Sequence, residues 1–263
     1  MEFSFDLISD LHVESWDGKF DWTGQPTSPY CVVAGDVSQD RSLLMETLRH
    51  LGNCYQGVFY IDGNDEHRFY LESIGQSYRD LSRYVDKIKN VVFMQDNVVV
   101  VNGVAFLACN GWWGFDMDPN VDYNQSVTWF TEHYGVNSTA AGVIANMAMT
   151  DVAYLRNSIK KLQMHRDVKA IVIVTHTVPG AWLINHDLEL ENNYRIHITG
   201  NNHLQIALDE DTENKVKAWC FGHYHRAVDR TMAGIRYVNN CRGRADTPWS
   251  QPVFYPKRIT IDF

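Results

Sequence analysis

The chain has 263 residues, 45% of them hydrophobic, which is enough for one large core. Its formal net charge of −9 argues against non-specific binding to duplex DNA or to an anionic membrane, because both need a basic face. The longest apolar stretch, Val98 to Cys109, is interrupted by Asn102-Gly103 and is too short to span a bilayer.

Cys31, Cys54, Cys109, Cys220 and Cys241 are odd in number, scattered, and form no C-x-x-C pair. They read as free thiols of a reducing compartment. The start, Met1-Glu2-Phe3-Ser4-Phe5-Asp6, has no basic region ahead of an apolar one, so no signal peptide is expected. The expectation is a soluble, cytoplasmic protein with no membrane partner and no set oligomeric state.

Phe3 to Ser9 reads as a strand ending in Asp10-Leu11-His12, and residues 13–29 read as a loop. Tyr30 to Ala34 is a short apolar strand ending in Gly35-Asp36. A helix follows, capped by Ser38 or Asp40, with Leu43, Leu44, Leu48 and Leu51 on one face and Gly52-Asn53 at its end. Val58 to Ile61 is the next strand, and Gly63-Asn64-Asp65-Glu66-His67 comes directly after it. A helix is predicted from about Phe69 to Ile88.

Val91 to Met94 is strand-like, and Asn102-Gly103 predicts a hairpin between Val98–Val101 and Val104–Ala108. Helical crossovers giving way to hairpins point to mixed sheets rather than one uniform parallel sheet. Residues 110 to about 150 read as an irregular aromatic cap or insertion, and a helix is predicted from about Asp151. Ala170 to Val174 ends in Thr175-His176, and residues 177 to about 203 are a polar, aromatic loop. Val216 to Phe221 ends in Gly222-His223-Tyr224-His225, Ala233-Gly234 turns a last hairpin, and Arg258 to Phe263 is a final strand.

Strand after strand therefore ends in a residue able to hold a metal: Asp10 and His12, Asp36, Asn64, His176, His223 and His225. A spacing of two at an extended strand end puts both members of a pair on one face. Imidazole and carboxylate without thiolate suit Mn, Fe, Zn and similar divalent ions, and the two oxygens of Asp36 suit a bridge between two ions. A lone Asp or His at any one of these places is ordinarily a turn former or a surface residue. Five such segments in succession are hard to obtain by chance.

Asp10-Leu11-His12, Gly35-Asp36, Gly63-Asn64, Thr175-His176 and Gly222-His223-Tyr224-His225 resemble, in order, the five signature blocks of the calcineurin-like metallophosphoesterases. Asn239-Asn240-Cys241-Arg242-Gly243 is similar to a stretch that follows the last block in some bacterial and phage members. The resemblance covers nearly the whole chain, residues 1–263, as one domain with the cap inserted. It implies an α/β fold of four layers, α/β/β/α, in which two facing mixed sheets are flanked by helices. It also implies two divalent ions, Mn favoured and Fe, Zn, Ni or Mg also suitable. Asp10, His12, Asp36 and His225 would hold one ion, and Asp36, Asn64, His176 and His223 the other. The implied activity is hydrolysis of phosphate esters by a hydroxide that bridges the two metals.

Where the family usually has a His that protonates the leaving group, this chain has Asp65, whose ordinary pKa of about 3.9 makes it an anion at neutral pH. His67, two residues on, is the alternative proton donor. A missing acid favours phosphodiesters, or substrates whose leaving group needs little help. Trp112 and Trp113 are candidates to wall the site or stack on a base, and Arg242 to contact a phosphate oxygen. The expected substrate is a small phosphate ester, a nucleotide or a nucleic-acid end. The competing reading, which Asp65 favours, is a catalytically weak or inactive binding or scaffold module on the same fold.

Overall fold

The computed structural model describes residues 2–17, 25–118, 120, 122–184 and 194–263. Parts of the loops expected at 13–29 and 177–203 lie outside them. Among these residues eleven strands form two sheets. The first contains β1 (Glu2–Ile8), β2 (Tyr30–Ala34), β3 (Gly57–Ile61), β4 (Val91–Phe93) and β11 (Lys257–Asp262), in the order β11-β1-β2-β3-β4. The second contains β5 (Asn97–Val101), β6 (Val104–Ala108), β7 (Ala170–Val174), β8 (Val216–Phe221), β9 (Val228–Met232) and β10 (Ile235–Asn239), in the order β5-β6-β7-β8-β10-β9.

In each sheet the central strands pair in parallel and the antiparallel pairs stand at the edges. That is why β2, β3, β6 and β7 read as unbroken apolar runs: sheet strands covered on both faces need no polar alternation. One core fills the space between the sheets, where Phe5, Leu7, Val32 and Phe59 meet Phe106, Val172, Cys220 and Val238. Phe5 and Phe106 pack edge to face with centroids 5.2 Å apart. The outer face of the first sheet is covered by α1 (Arg41–Cys54) and α2 (Ile74–Val85), and that of the second by α4 (Ser138–Met164). The four-layer α/β sandwich expected from the sequence is present. Among the described residues no helix is long and apolar enough to cross a membrane.

Asp40 caps α1, its carboxylate accepting from the backbone N of Ser42 and Leu43, which is worth about 1 kcal/mol. The helix runs past Gly52-Asn53 to Cys54. The second predicted helix is shorter than 69–88, starting at Ile74 and ending at Val85.

The largest difference from the sequence reading lies in residues 123–150, which are helical rather than irregular. They contain α3 (Tyr123–Tyr134) and the first half of α4, a helix of 27 residues, while the described residues between Asn110 and Asp122 are irregular as expected. Asn137, not Asp151, caps α4 and accepts from Ala140 N. The buried face of this half is carried largely by alanines, Ala140, Ala141 and Ala148 with Ile144, so its apolar periodicity is faint. Asp151 sits in mid-helix, and its buried carboxylate accepts from the backbone N of Gly111 and Trp112, at 2.8 and 3.0 Å.

Candidate metal centre

The carboxyl ends of the parallel strands lie together, where an α/β sheet usually carries its site. Asp10 follows β1, Asp36 follows β2, Asn64 follows β3, His176 follows β7 and His223 follows β8. The two sheets are joined here: Ser9 N donates to Asn240 O and Arg242 N to Ser9 O, at 2.9 and 3.1 Å. Asp10, His12, Asp36 and His223 all have positive φ, between 42° and 64°. Left-handed backbone at two histidines is costly and is held by the surrounding bonds. The convergence of Asp10 with His12 therefore owes nothing to an extended strand end, as the spacing of two had suggested.

Two glycines let the loops close. A Cβ on Gly63 would run into the Asp36 carboxylate, and one on Gly35 into the His176 ring. Glu66 ties the same loops together. Its carboxylate accepts from Gly63 N and Val37 N, both at 2.7 Å, and from Asp36 N at 3.2 Å.

The structure brings these side chains into two groups that share Asp36. Asp10, His12, Asp36 and His225 have ligand atoms within 4.8 Å of one another, and so have Asp36, His176 and His223. In the first group, His12 Nε2 is 3.0 Å from His225 Nε2 and 3.8 Å from Asp36 Oδ2, and His225 Nε2 is 3.4 Å from Asp10 Oδ1. In the second, His176 Nε2 is 3.1 Å from Asn64 Oδ1, 3.1 Å from His223 Nδ1 and 3.4 Å from Asp36 Oδ1. Each oxygen of Asp36 thus faces a different group. His223 and His225 separate between the two groups, so the pair does not share one face.

The histidine tautomers follow from carbonyls, which only accept. His176 Nδ1 donates to Ala34 O at 2.9 Å, and His223 Nε2 donates to Ile198 O at 2.8 Å. His176 Nε2, His223 Nδ1, Asn64 Oδ1 and Asp36 Oδ1 therefore offer lone pairs to one small volume. Asp10 Oδ2 is buried, and no donor among the described residues reaches it. A divalent cation satisfies such a set, so the residues present fit the implied metals.

Without a metal, protons take that place. Burial would lower His12, but Asp65, Glu14 and Asp36 push it up to about 10. Burial likewise opposes His176, yet Asp36 and Asp10 raise it to about 10. Burial and neighbouring His176 push His223 down to about 4, so it stays neutral and ready to ligate. Burial acts to raise Asp36, but His176, with His12, holds its carboxyl well below the usual range. Ligation requires His12 and His176 to give up their protons, one in each group. Metal affinity is therefore expected to rise with pH across the neutral range. Calorimetry in buffers of differing ionisation enthalpy should show about two protons released per chain loaded near pH 7.5.

Asp65, His67, Trp112, Trp113 and Arg242 fare differently from their assigned roles. His67 does not reach the site. Its ring is fully buried, with Nε2 2.9 Å from Asp62 Oδ2 and Nδ1 2.8 Å from Ser77 Oγ. Trp112 and Trp113 are also buried and wall nothing open to substrate. Trp112 Nε1 donates to Tyr78 Oη at 2.8 Å, and the Trp113 ring stacks behind His223 with centroids 5.6 Å apart. Arg242 is buried with its guanidinium 4.2 Å over the Trp16 ring. Arg244, two residues on, enters the site instead and pairs with Asp65. The sequence offers two arginines at alternate positions and no signal to choose between them.

A cavity of about 510 Å³ opens over the two groups. Arg68, Arg195, Arg226 and Arg244 line it, with Trp129 and Trp249 among its aromatic walls.

A scan against protein-family models finds no match to this sequence, and a search of curated proteins finds none. Solved structures do match. A phosphopantetheinyl hydrolase from Mycobacterium tuberculosis superposes with a TM-score of 0.64 at 17% identity, over 94% of both chains. The fold is that of the calcineurin-like metallophosphoesterases. A dimetal phosphatase from Danio rerio also matches, with a TM-score of 0.50 at 15% identity, over 94% of this chain and 89% of the other. On a metallophosphoesterase fold, the buried His/Asp groups lie at the strand ends where the five sequence blocks fall.

Proposed function

We propose that this protein is a metal-dependent phosphoesterase that favours phosphodiesters. Asp10, His12, Asp36 and His225 would hold one divalent ion, and Asp36, Asn64, His176 and His223 the other, with Mn²⁺ favoured. The observation that carries the reading is the convergence of lone pairs from His176, His223, Asn64 and Asp36, with the tautomers fixed by Ala34 O and Ile198 O. When bound, the ions supply an activated water nucleophile and screening of the phosphate charge.

The chain's own residues do the rest. Among the described residues four arginines line the cavity, and guanidinium groups suit the oxygens of an anionic ester. The position assigned to a proton donor is Asp65, and His67 is bonded elsewhere. Neither protonates a departing alkoxide, which supports substrates whose leaving group needs little help, diesters over alkyl monoesters. A nucleotide, a nucleic-acid end or another small ester fits the mixture of guanidinium and aromatic walls equally well. Five free cysteines, four of them buried, support a reducing, cytoplasmic location.

Bis-p-nitrophenyl phosphate tests the reading, because nitrophenolate leaves without protonation. Mn²⁺-dependent turnover that a chelator removes is expected, with the diester hydrolysed faster than the monoester. A chain that carries two ions and hydrolyses neither would support the binding-module reading instead.

A further inference from the structure

We propose that Asp65 is a positioning residue that presents one ligand to each ion and anchors Arg244 in the cavity. The inference rests on the two-metal reading above. It explains the one residue at the centre that the expected chemistry leaves without a task.

Asp65 is 2% exposed and touches both groups. Its Oδ1 accepts from Asn64 Nδ2 at 3.0 Å. The two ends of an asparagine amide are nearly the same size, so what decides their orientation is the partner. A carboxylate can only accept, so the Asn64 NH₂ must face Asp65. Asn64 Oδ1 is thereby turned inward, 3.1 Å from His176 Nε2.

The other oxygen acts on the other group. Asp65 Oδ2 lies 3.3 Å from His12 Nδ1, with Glu14 Oε1 3.8 Å from the same nitrogen, so negative charge backs that side of the ring while Nε2 is turned toward His225 and Asp36. A carboxylate behind a ligating histidine is a known device for fixing ring and tautomer. Here one carboxylate serves ligands of both groups.

The same oxygen pairs with Arg244 Nη2, while Arg244 Nη1 is 3.6 Å from Glu14 Oε1. Two carboxylates thus hold one guanidinium by its two ends. The Arg244 side chain keeps 28% of its surface exposed and lines the cavity beside Asp36, Asn64 and His223. An alanine at position 65 would lose both the Asn64 acceptor and the arginine's anchor. A plain turn-forming role accounts for neither, since the backbone N–H of Asp65, which donates to Asp36 Oδ1 at 2.9 Å, is present in any residue type here but proline. Position 65 offers no proton, and a fixed cation stands beside it to meet the charge of the phosphoryl group.

The test compares Asp65→Ala, Asp65→Asn and Arg244→Met with the wild type, all as full chains. Mn²⁺ affinity is measured by calorimetry, the metal-free melting temperature by scanning, and the visible spectrum after Co²⁺ loading. Diester hydrolysis is measured alongside. Asp65→Ala should bind Mn²⁺ about 10–100-fold more weakly and shift the Co²⁺ bands. Asp65→Asn, with the shape kept and one acceptor left, should fall between. Arg244→Met removes a cation, so Mn²⁺ should bind as tightly as before or tighter, while KM for the diester rises about tenfold or more.

Asp65 variants that bind Mn²⁺ within about twofold of the wild type would overturn the proposal, as would equal loss of metal in Arg244→Met. The two readings fail separately. The expected affinity pattern without any ester hydrolysis would sink the phosphoesterase and leave the positioning role. Hydrolysis with indifferent Asp65 variants would do the reverse. A wild type that binds no metal would remove both.

Discussion

Asp36→Asn is expected to reduce diester hydrolysis by about 10³-fold or more, the scale of losing a catalytic metal rather than one contact. The carboxylate is the single side chain common to both groups, with Oδ1 3.4 Å from His176 and Oδ2 3.8 Å from His12. An amide keeps the volume and gives up the charge and one lone-pair face. It also turns wrongly with respect to the backbone: the N–H of Asp65 donates to Oδ1 at 2.9 Å, so the amide oxygen is drawn there. The NH₂ is then left facing His12, where a ligand atom is required. Elemental analysis beside turnover checks the claim, with fewer than two ions expected per mutant chain. A mutant that keeps two ions and near-normal turnover would remove Asp36 from the bridge.

Glu66→Gln is expected to destabilise the protein by about 3 kcal/mol or more, because buried backbone donors left without an acceptor each cost about 1–3 kcal/mol. Glu66 is 3% exposed, and its carboxylate receives Gly63 N, Val37 N and Asp36 N. Glutamine offers one oxygen to this cluster and points an NH₂ at the remaining donors. The loops carrying Asp36 and Asn64 are joined by this side chain, by the Asp65 N–H bond to Asp36 Oδ1 and by the close approach at Gly63, so metal binding should weaken along with the fold. Thermal denaturation of the metal-free chain measures the first effect and Mn²⁺ titration the second. An unchanged melting temperature would show that water replaces the carboxylate without loss.

The strand ends were legible because strands buried on both faces are largely apolar until they leave the sheet, as β2, β3 and β7 are. Asp10, Asp36, Asn64, His176 and His223, two or three residues past the ends of β1, β2, β3, β7 and β8, are the ones that meet at the sheet ends. What those residues do there was less legible. Asp10 and His12 converge through left-handed backbone, which no i, i+2 rule describes. Trp112 and Trp113 lie next to the site in sequence and in space, yet their indoles point into the packing against α3 and α4. Arg242 and Arg244 alternate, and tertiary partners separate them: Arg242 is buried over the Trp16 ring, while Arg244 enters the cavity against Asp65 and Glu14. The first half of α4 hid behind alanines, whose burial drives helix packing while leaving little trace in a hydrophobic pattern. Glu66 looked like one more acid in a polar cluster, since its acceptor role exists only once β2 and β3 lie side by side.

The most direct measurement is anomalous diffraction from crystals of the full chain grown or soaked with Mn²⁺. Two peaks are expected. One lies among Asp10, His12, Asp36 and His225, and the other among Asp36, Asn64, His176 and His223, with Asp36 touching both. A single peak, or none at these side chains, would contradict a dinuclear centre and with it the proposed chemistry.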